Sequence, residues 1–160
     1  EYNPDFLVRI TGDCPLIDPD IIDICVENCV GGKYDYFRLL EPYPDGLDVD
    51  IFKSSAITIA NEKAKKISER EHIGQYFLNN PNDFLLGGIN LFETRHQEIR
   101  ITLDEEEDYK LLKELEKNLD DIQSIKYEKL LSYILDNKSL LLINKNIIRN
   151  EGLKKSQAKE

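Results

Sequence analysis

The sequence predicts an α/β domain, and three observations carry that reading. An apolar run, Phe6 to Ile10, leads through Thr11-Gly12 to a lone acid, Asp13, just ahead of a capped helix. Far along the chain a second apolar run, Ile99 to Leu103, ends in the same way on Asp104. Between them Leu47 to Phe52 alternates apolar and acidic residues with a period of two. Units of strand, loop and helix place binding groups at the carboxyl ends of strands.

Taken in order, Phe6 to Ile10 is expected to be a central parallel strand, because Arg9 alone interrupts its apolar character. Asp18 is placed to cap a helix with Pro19 in its first turn. Ile21, Ile22, Ile24, Cys25, Val26 and Cys29 form the apolar face, and Gly31-Gly32 end the helix. Tyr34 to Leu40 reads as a second strand. Pro42, Pro44, Asp45 and Gly46 make a tight loop, and the alternation that follows sets Asp48 and Asp50 on one face. Ser54 or Ser55 starts a helix, Ser68-Glu69-Arg70-Glu71 resembles a capping box opening another, and Pro81 breaks that one. Leu85 to Phe92 is extended, with a register that Gly87 and Gly88 leave open. Ile99 to Leu103 is the next strand, and the acids from Asp104 to Asp108 open a helix whose exposed amides favour them. Past Asp120 the amphipathic Ile125 to Leu135 and the Leu-, Ile- and Asn-rich Ser139 to Ile148 read as helical, while the polar Gly152 to Glu160 is expected to fray. The division is thus a body over 1–120 and a helical extension over 121–160.

An apolar content of 41% in 160 residues suits one hydrophobic core. The 31 acids against 21 Lys and Arg, net charge -10, argue against a broad nucleic-acid footprint. No stretch approaches the roughly 20 apolar residues that span a bilayer, so neither nucleic acid nor membrane is expected as a partner. No basic-then-apolar leader is visible, and a cytoplasmic setting is expected. Acidity does not exclude a nucleotide, since magnesium carries phosphates into acidic clefts. Cys14, Cys25 and Cys29 lack redox spacing and are expected as buried hydrophobes, with Cys14, beside Asp13, open to partial exposure.

Asp13 and Asp104 are the sharpest candidate pair. Magnesium takes one or two carboxylates and completes its shell with waters and phosphate oxygens, which two strand-end aspartates meeting at one sheet edge would suit. Each has a plainer use as well, Asp13 as a turn residue and Asp104 as a helix N-cap, and spacing does not choose. Asp48 and Asp50 offer acceptors to sugar hydroxyls or an outer hold on a metal, and Arg70 and His72 near a helix start suit an anion. A hairpin loop and a surface helix start would leave the same residues.

Four motifs in order then build a resemblance. Arg9-Ile-Thr-Gly-Asp-Cys-Pro-Leu-Ile-Asp-Pro19, Tyr43-Pro-Asp-Gly-Leu-Asp-Val-Asp-Ile-Phe52, Ser68-Glu-Arg-Glu-His72 and Arg100-Ile-Thr-Leu-Asp104 with the acids behind it resemble the sugar-activating cytidylyltransferases. That group includes the CMP-Kdo and acylneuraminate enzymes, and the chain is most similar to the spore coat polysaccharide biosynthesis proteins. The resemblance implies a Rossmann-like nucleotidyltransferase fold, with Asp13 and Asp104 as catalytic residues holding Mg2+. It places Asp45, Asp48, Asp50, Arg70 and His72 toward the acceptor sugar. It implies CTP and a sugar as substrates, CMP transfer with release of pyrophosphate, and room for a homodimer. The family's glycine- and arginine-rich nucleotide loop, and the strands around it, are expected upstream of Glu1. The stretch by itself is therefore expected to be inactive and to carry an open sheet edge with uncovered apolar surface. Asp50 stands where glutamate is usual, and Glu105-Glu106 where Thr-Pro is common. A non-catalytic remnant or an acidic α/β interaction domain are the alternatives.

Overall fold

The structure, a computed structural model, describes residues 2–160. β1 (Phe6–Arg9) leads through the Asp13 turn to α1 (Pro19–Gly32) and β2 (Tyr36–Leu39). β3 (Asp50–Lys53) runs straight into α2 (Ser54–Lys63), followed by two short helices, α3 (Ile67–Glu71) and α4 (Ile73–Asn79), and then β4 (Leu86–Ile89). α5 (Glu106–Asn118), α6 (Tyr127–Asp136) and α7 (Glu151–Gln157) complete the order. This is a mixed α/β fold, as expected.

The strands lie in the order β1-β3-β2-β4, with β1 and β2 each antiparallel to β3 and β4 parallel to β2. Among the described residues Phe6 to Arg9 is therefore not the central parallel strand expected. Among the described residues β1 is an edge strand paired only with β3, and Leu7 and Val8 stand 40% and 44% exposed. An apolar pattern reports that a strand requires cover; it does not report where the cover lies. The expected open edge and uncovered apolar surface are both found here.

α1 forms as its sequence dictates. The Asp18 carboxylate accepts from the Asp20 amide at 2.9 Å, and its second oxygen accepts from the Tyr127 amide at 2.8 Å. One buried cap thus serves α1 and ties it to the first turn of α6. Ile21, Cys25 and Cys29 bury fully in a core shared with Phe37, Ile51, Ile101, Leu115 and Ile134. A second, smaller cluster sets Tyr36, Phe52 and Phe77 ring against ring beside Ala56 and Ala60. Leu47, Val49 and Ile51 are buried while Asp48 and Asp50 are half-buried on the other face, so the alternation holds although the ladder itself begins at Asp50.

Ile99 to Leu103 is extended but makes no ladder strand. It forms a single parallel bridge, Asp45 with Arg100, and runs between two loops. The Asp45 amide donates to Ile99 O at 2.9 Å, the Ile101 amide to Asp45 O at 2.8 Å, and the Leu103 amide to Asp13 O at 2.8 Å. Its alternating apolar residues read as strand because Ile99 and Ile101 do bury. Its hydrogen bonds go to the Asp45 and Asp13 loops instead of a neighbouring strand, and this brings Asp104 beside Asp13.

Gly46 makes that approach feasible. Its φ is +106°, and a Cβ there would lie 2.8 Å from the Ile101 carbonyl carbon and 2.9 Å from the Thr102 nitrogen. Gly46→Ala is expected to cost about 1–3 kcal/mol from the backbone conformation alone, more once the 99–103 segment is displaced. Urea midpoints check this; a loss under about 0.5 kcal/mol, the scale of an ordinary surface change, would show that the loop relaxes freely.

The C-terminal stretch, expected to fray, forms a helix with partners in the body. After α6 the chain makes a 3-10 turn at Leu140–Leu142 and returns as α7, which packs on α3. Ser156 Oγ donates to the Glu71 carboxylate, and the Ser68 amide donates to Glu160 Oε1 at 2.8 Å. Polar composition reads as solvated tail, but these polar groups have named partners. Ser68, expected as a cap, instead lies inside α3, where the Glu69 carboxylate reaches back toward the Lys65 and Lys66 amides.

Candidate functional site

Arg100 organises the site. Its guanidinium is 11% exposed and donates to three carboxylates: Nη1 to Asp45 at 2.6 Å, Nη2 to Asp104 at 2.8 Å, and Nε and Nη2 to Asp108 at 3.0 and 2.8 Å. Asp108 is fully buried and accepts further from Asn144 Nδ2 at 2.8 Å and from the Asp104 and Glu105 amides at 3.2 and 3.1 Å. Burial alone would raise the Asp108 carboxyl, but the donors from Arg100, Asn144 and the two amides outweigh it and hold it below its ordinary value. Asp108 is also the acid at the third position of α5, so Glu105 and not Asp104 is that helix's cap residue.

Around this hub opens a cavity of about 480 Å³. Asp13, Asp45, Asp48, Asp50, His72 and Asp104 all line it, so six of the seven residues read from the sequence come together. Arg70 does not. Its Nη1 donates to the Asn61 carbonyl at 3.0 Å, away from the cavity. Residues two apart on a helical turn point to different sides; His72, at the α3–α4 junction, turns inward and Arg70 turns out. The opposite wall is the returning C-terminal segment, with Asn150, Gly152, Leu153 and Lys155. Arg149 anchors it: the guanidinium lies 4.3 Å over the Tyr43 ring, Nη1 donates to Tyr43 O at 2.8 Å, and Nε stands 3.6 Å from Asp45.

The carboxylates of Asp48 and Asp50 are held in different ways. Asp48 accepts from the Tyr43 hydroxyl at 2.9 Å and the Gly46 amide at 3.1 Å. Asp50 accepts from the Tyr36 hydroxyl at 2.7 Å and Arg9 Nη1 at 3.0 Å. Burial raises the Asp50 carboxyl, and Tyr36 and Arg9 offset this only in part. A carboxylate whose folded value is raised costs stability, a cost that is absent below the ordinary value and complete once pH exceeds the folded one. Asp50→Asn is therefore expected to stabilise the fold at pH 7, on the scale of about 0.5–2 kcal/mol seen when a functional group's strain is relieved. Thermal unfolding at pH 7 tests it, and an unchanged or lower midpoint refutes it. Cys14 is buried, not semi-exposed; its thiol meets Thr11 Oγ1 at 3.2 Å, and burial pushes it up to about 11.

Asp13 and Asp104 both line one cavity, and the amide of Leu103, the residue before Asp104, donates to the Asp13 carbonyl. Among the described residues no group of three or more His, Cys, Asp and Glu side chains is placed to hold a metal ion. A two-carboxylate set fits magnesium, which draws the remainder of its shell from waters and phosphates. Sequence reasoning missed Arg100, Asp108 and Asn144 as a unit, and Arg149 as an anchor. The available signal was Arg100 lying four and eight residues ahead of two acids.

A family model described as cytidylyltransferase matches residues 1–140. The chain belongs to the cytidylyltransferase family. It is 33% identical over 147 residues to the uncharacterized protein MJ1063 of Methanocaldococcus jannaschii, covering 91% of this chain and 60% of that protein. It is 28% identical over 114 residues to the spore coat polysaccharide biosynthesis protein SpsF of Bacillus subtilis, covering 70% and 47%. The structure superposes on a cytidylyltransferase from Leptospira borgpetersenii with a TM-score of 0.79 at 29% identity, over 90% of this chain and 60% of that one. This member of the family thus has the nucleotidyltransferase-like Rossmann fold and spans 47% to 60% of the length of the relatives it matches. No helix among its described residues is long and apolar enough to cross a membrane.

Proposed function

We propose that the complete protein transfers CMP from CTP to a sugar, releasing pyrophosphate, and so activates that sugar in the cytoplasm for surface polysaccharide or glycan synthesis. The observation that carries this is the convergence of Asp13 and Asp104 on one cavity whose other walls present Asp48, Asp50 and His72. The acceptor hydroxyl oxygen attacks the α-phosphorus, its proton passes to solvent, and the bond from that phosphorus to the α–β bridging oxygen breaks, so that pyrophosphate leaves. Such transfer depends on positioning and on charge placed over the phosphoryl oxygens, without a covalent nucleophile.

Asp13 and Asp104 would hold Mg2+, which supplies positive charge over the phosphates when bound. Asp48 and Asp50 each keep lone pairs beyond the hydrogen bonds they already accept, so they can take hydroxyl donors from the acceptor. His72 borders the same space, while Arg70 has no part in it. Asp45 is committed to Arg100 and Arg149, which makes it a support for the cavity wall.

The test is CTP-dependent pyrophosphate release by the complete gene product across a panel of nucleoside triphosphates and sugars. Turnover with CTP and at least one sugar is expected, and none from residues 1–160 alone. Failure with every sugar, or a clear preference for another nucleotide, overturns the reading.

A further inference from the structure

We infer that Arg100 and Asp108 are positioning residues that set the Asp104 carboxylate for cation binding, an inference that rests on Asp104 being a metal ligand. Asp104 is the more exposed of the two candidate ligands, with a side chain 48% exposed at the mouth of a turn. Left to itself, such a carboxylate samples several rotamers, and ordering it on binding would weaken the site. Three contacts remove that freedom. Asp104 Oδ2 is taken by Arg100 Nη2 at 2.8 Å. The Asp104 amide is taken by Asp108 Oδ2 at 3.2 Å. The same Asp108 oxygen accepts Arg100 Nη2 at 2.8 Å, so backbone and side chain of Asp104 are fixed by one coupled pair.

The pair is itself held from several sides. Asp108 is fully buried, Asn144 Nδ2 bridges Asp108 Oδ1 and the Arg100 carbonyl at 2.8 and 3.0 Å, and the second guanidinium arm is pinned on Asp45. The arrangement holds one oxygen of Asp104 and leaves Oδ1 with no hydrogen bond from any described residue, at the lining of the cavity that Asp13 also lines. A fork-shaped, permanently charged group is needed to reach three carboxylates at once; lysine supplies the charge and cannot supply the geometry. Partners of metal ligands that act in this way typically change metal affinity about 10–100-fold when altered.

The test uses Mn2+ as the probe, titrated into the chain and followed by electron paramagnetic resonance and water-proton relaxation, with affinity referred to the folded fraction measured by near-UV circular dichroism. The parent is expected to bind, Asp13→Ala and Asp104→Ala to lose binding, and both Arg100→Lys and Asp108→Asn to weaken it about 10–100-fold. A purely structural role leaves the affinity of the folded fraction unchanged. Loss in the two alanine variants with Arg100→Lys, or Asp108→Asn where it folds, within twofold of the parent overturns the positioning role alone. Failure of the parent to bind, or binding that survives Asp13→Ala and Asp104→Ala, overturns the metal reading and this inference with it.

Discussion

Arg100→Ala is expected to lower the unfolding free energy by about 3–5 kcal/mol, the cost of breaking a buried ion pair by removing one partner. The reason is what remains. Asp108, fully buried, would keep its charge with only Asn144 and two amides to hold it, and Asp45 would lose its 2.6 Å donor. In a chain of this size each kcal/mol moves the thermal midpoint by about 2–4 °C, so the variant is readily distinguished. The effect has a pH signature. Asp108's folded value is depressed, so its contribution is fully present above the unfolded value, ordinarily 3.8, and is lost as pH falls through the lower folded one. Parent and variant should converge as the pH falls below about 4. Urea denaturation at pH 7 and at acid pH measures both. A difference under about 1 kcal/mol at pH 7 would mean that water or a rearranged side chain satisfies Asp108.

Asp13→Ala and Asp104→Ala should each reduce pyrophosphate release by the complete protein about 10²–10³-fold, the scale of removing one charge-organising group from a transfer site. Neither carboxylate is buried, and Arg100 retains Asp108 when Asp104 is lost, so the fold should be spared. The Arg100–Asp104 pair is half open to water on its acidic side and contributes no more than about 1 kcal/mol. Comparing kcat in saturating Mg2+ with the unfolding midpoint separates the two effects. Near-normal turnover in either variant would reduce that aspartate to a turn or a helix-start residue.

Where several local rules agreed, the structure was legible in the sequence. Cap, proline, apolar period and terminal glycines all pointed to the helix at Pro19–Gly32, and it is there. The carboxylate pair was legible because each lies where a polar residue interrupts an apolar run, at a point the fold then turns into a loop. What escaped were long-range polar relations. Arg100 reaches Asp45 across 55 positions, and Asp108 stood within an acidic run that helix-start electrostatics explains without any partner. The antiparallel pairing of β1 with β3 escaped for a related reason, since strand pairing is decided between segments and apolar composition records only the demand for it. Arg70 and His72 were read together from one motif, and two residues of helix separated them.

The returning C-terminal segment has a consequence of its own. Because Asn150, Gly152, Leu153 and Lys155 wall the cavity while Arg149, Ser156 and Glu160 fasten them to Tyr43, Glu71 and Ser68, filling the cleft and seating this segment form one linked equilibrium. Whatever binds against the wall must by mass action tighten the fastening, and whatever loosens the fastening must weaken binding by the same free energy. The last helix of the chain is thereby an energetic neighbour of Asp13, although nearly the whole sequence lies between them.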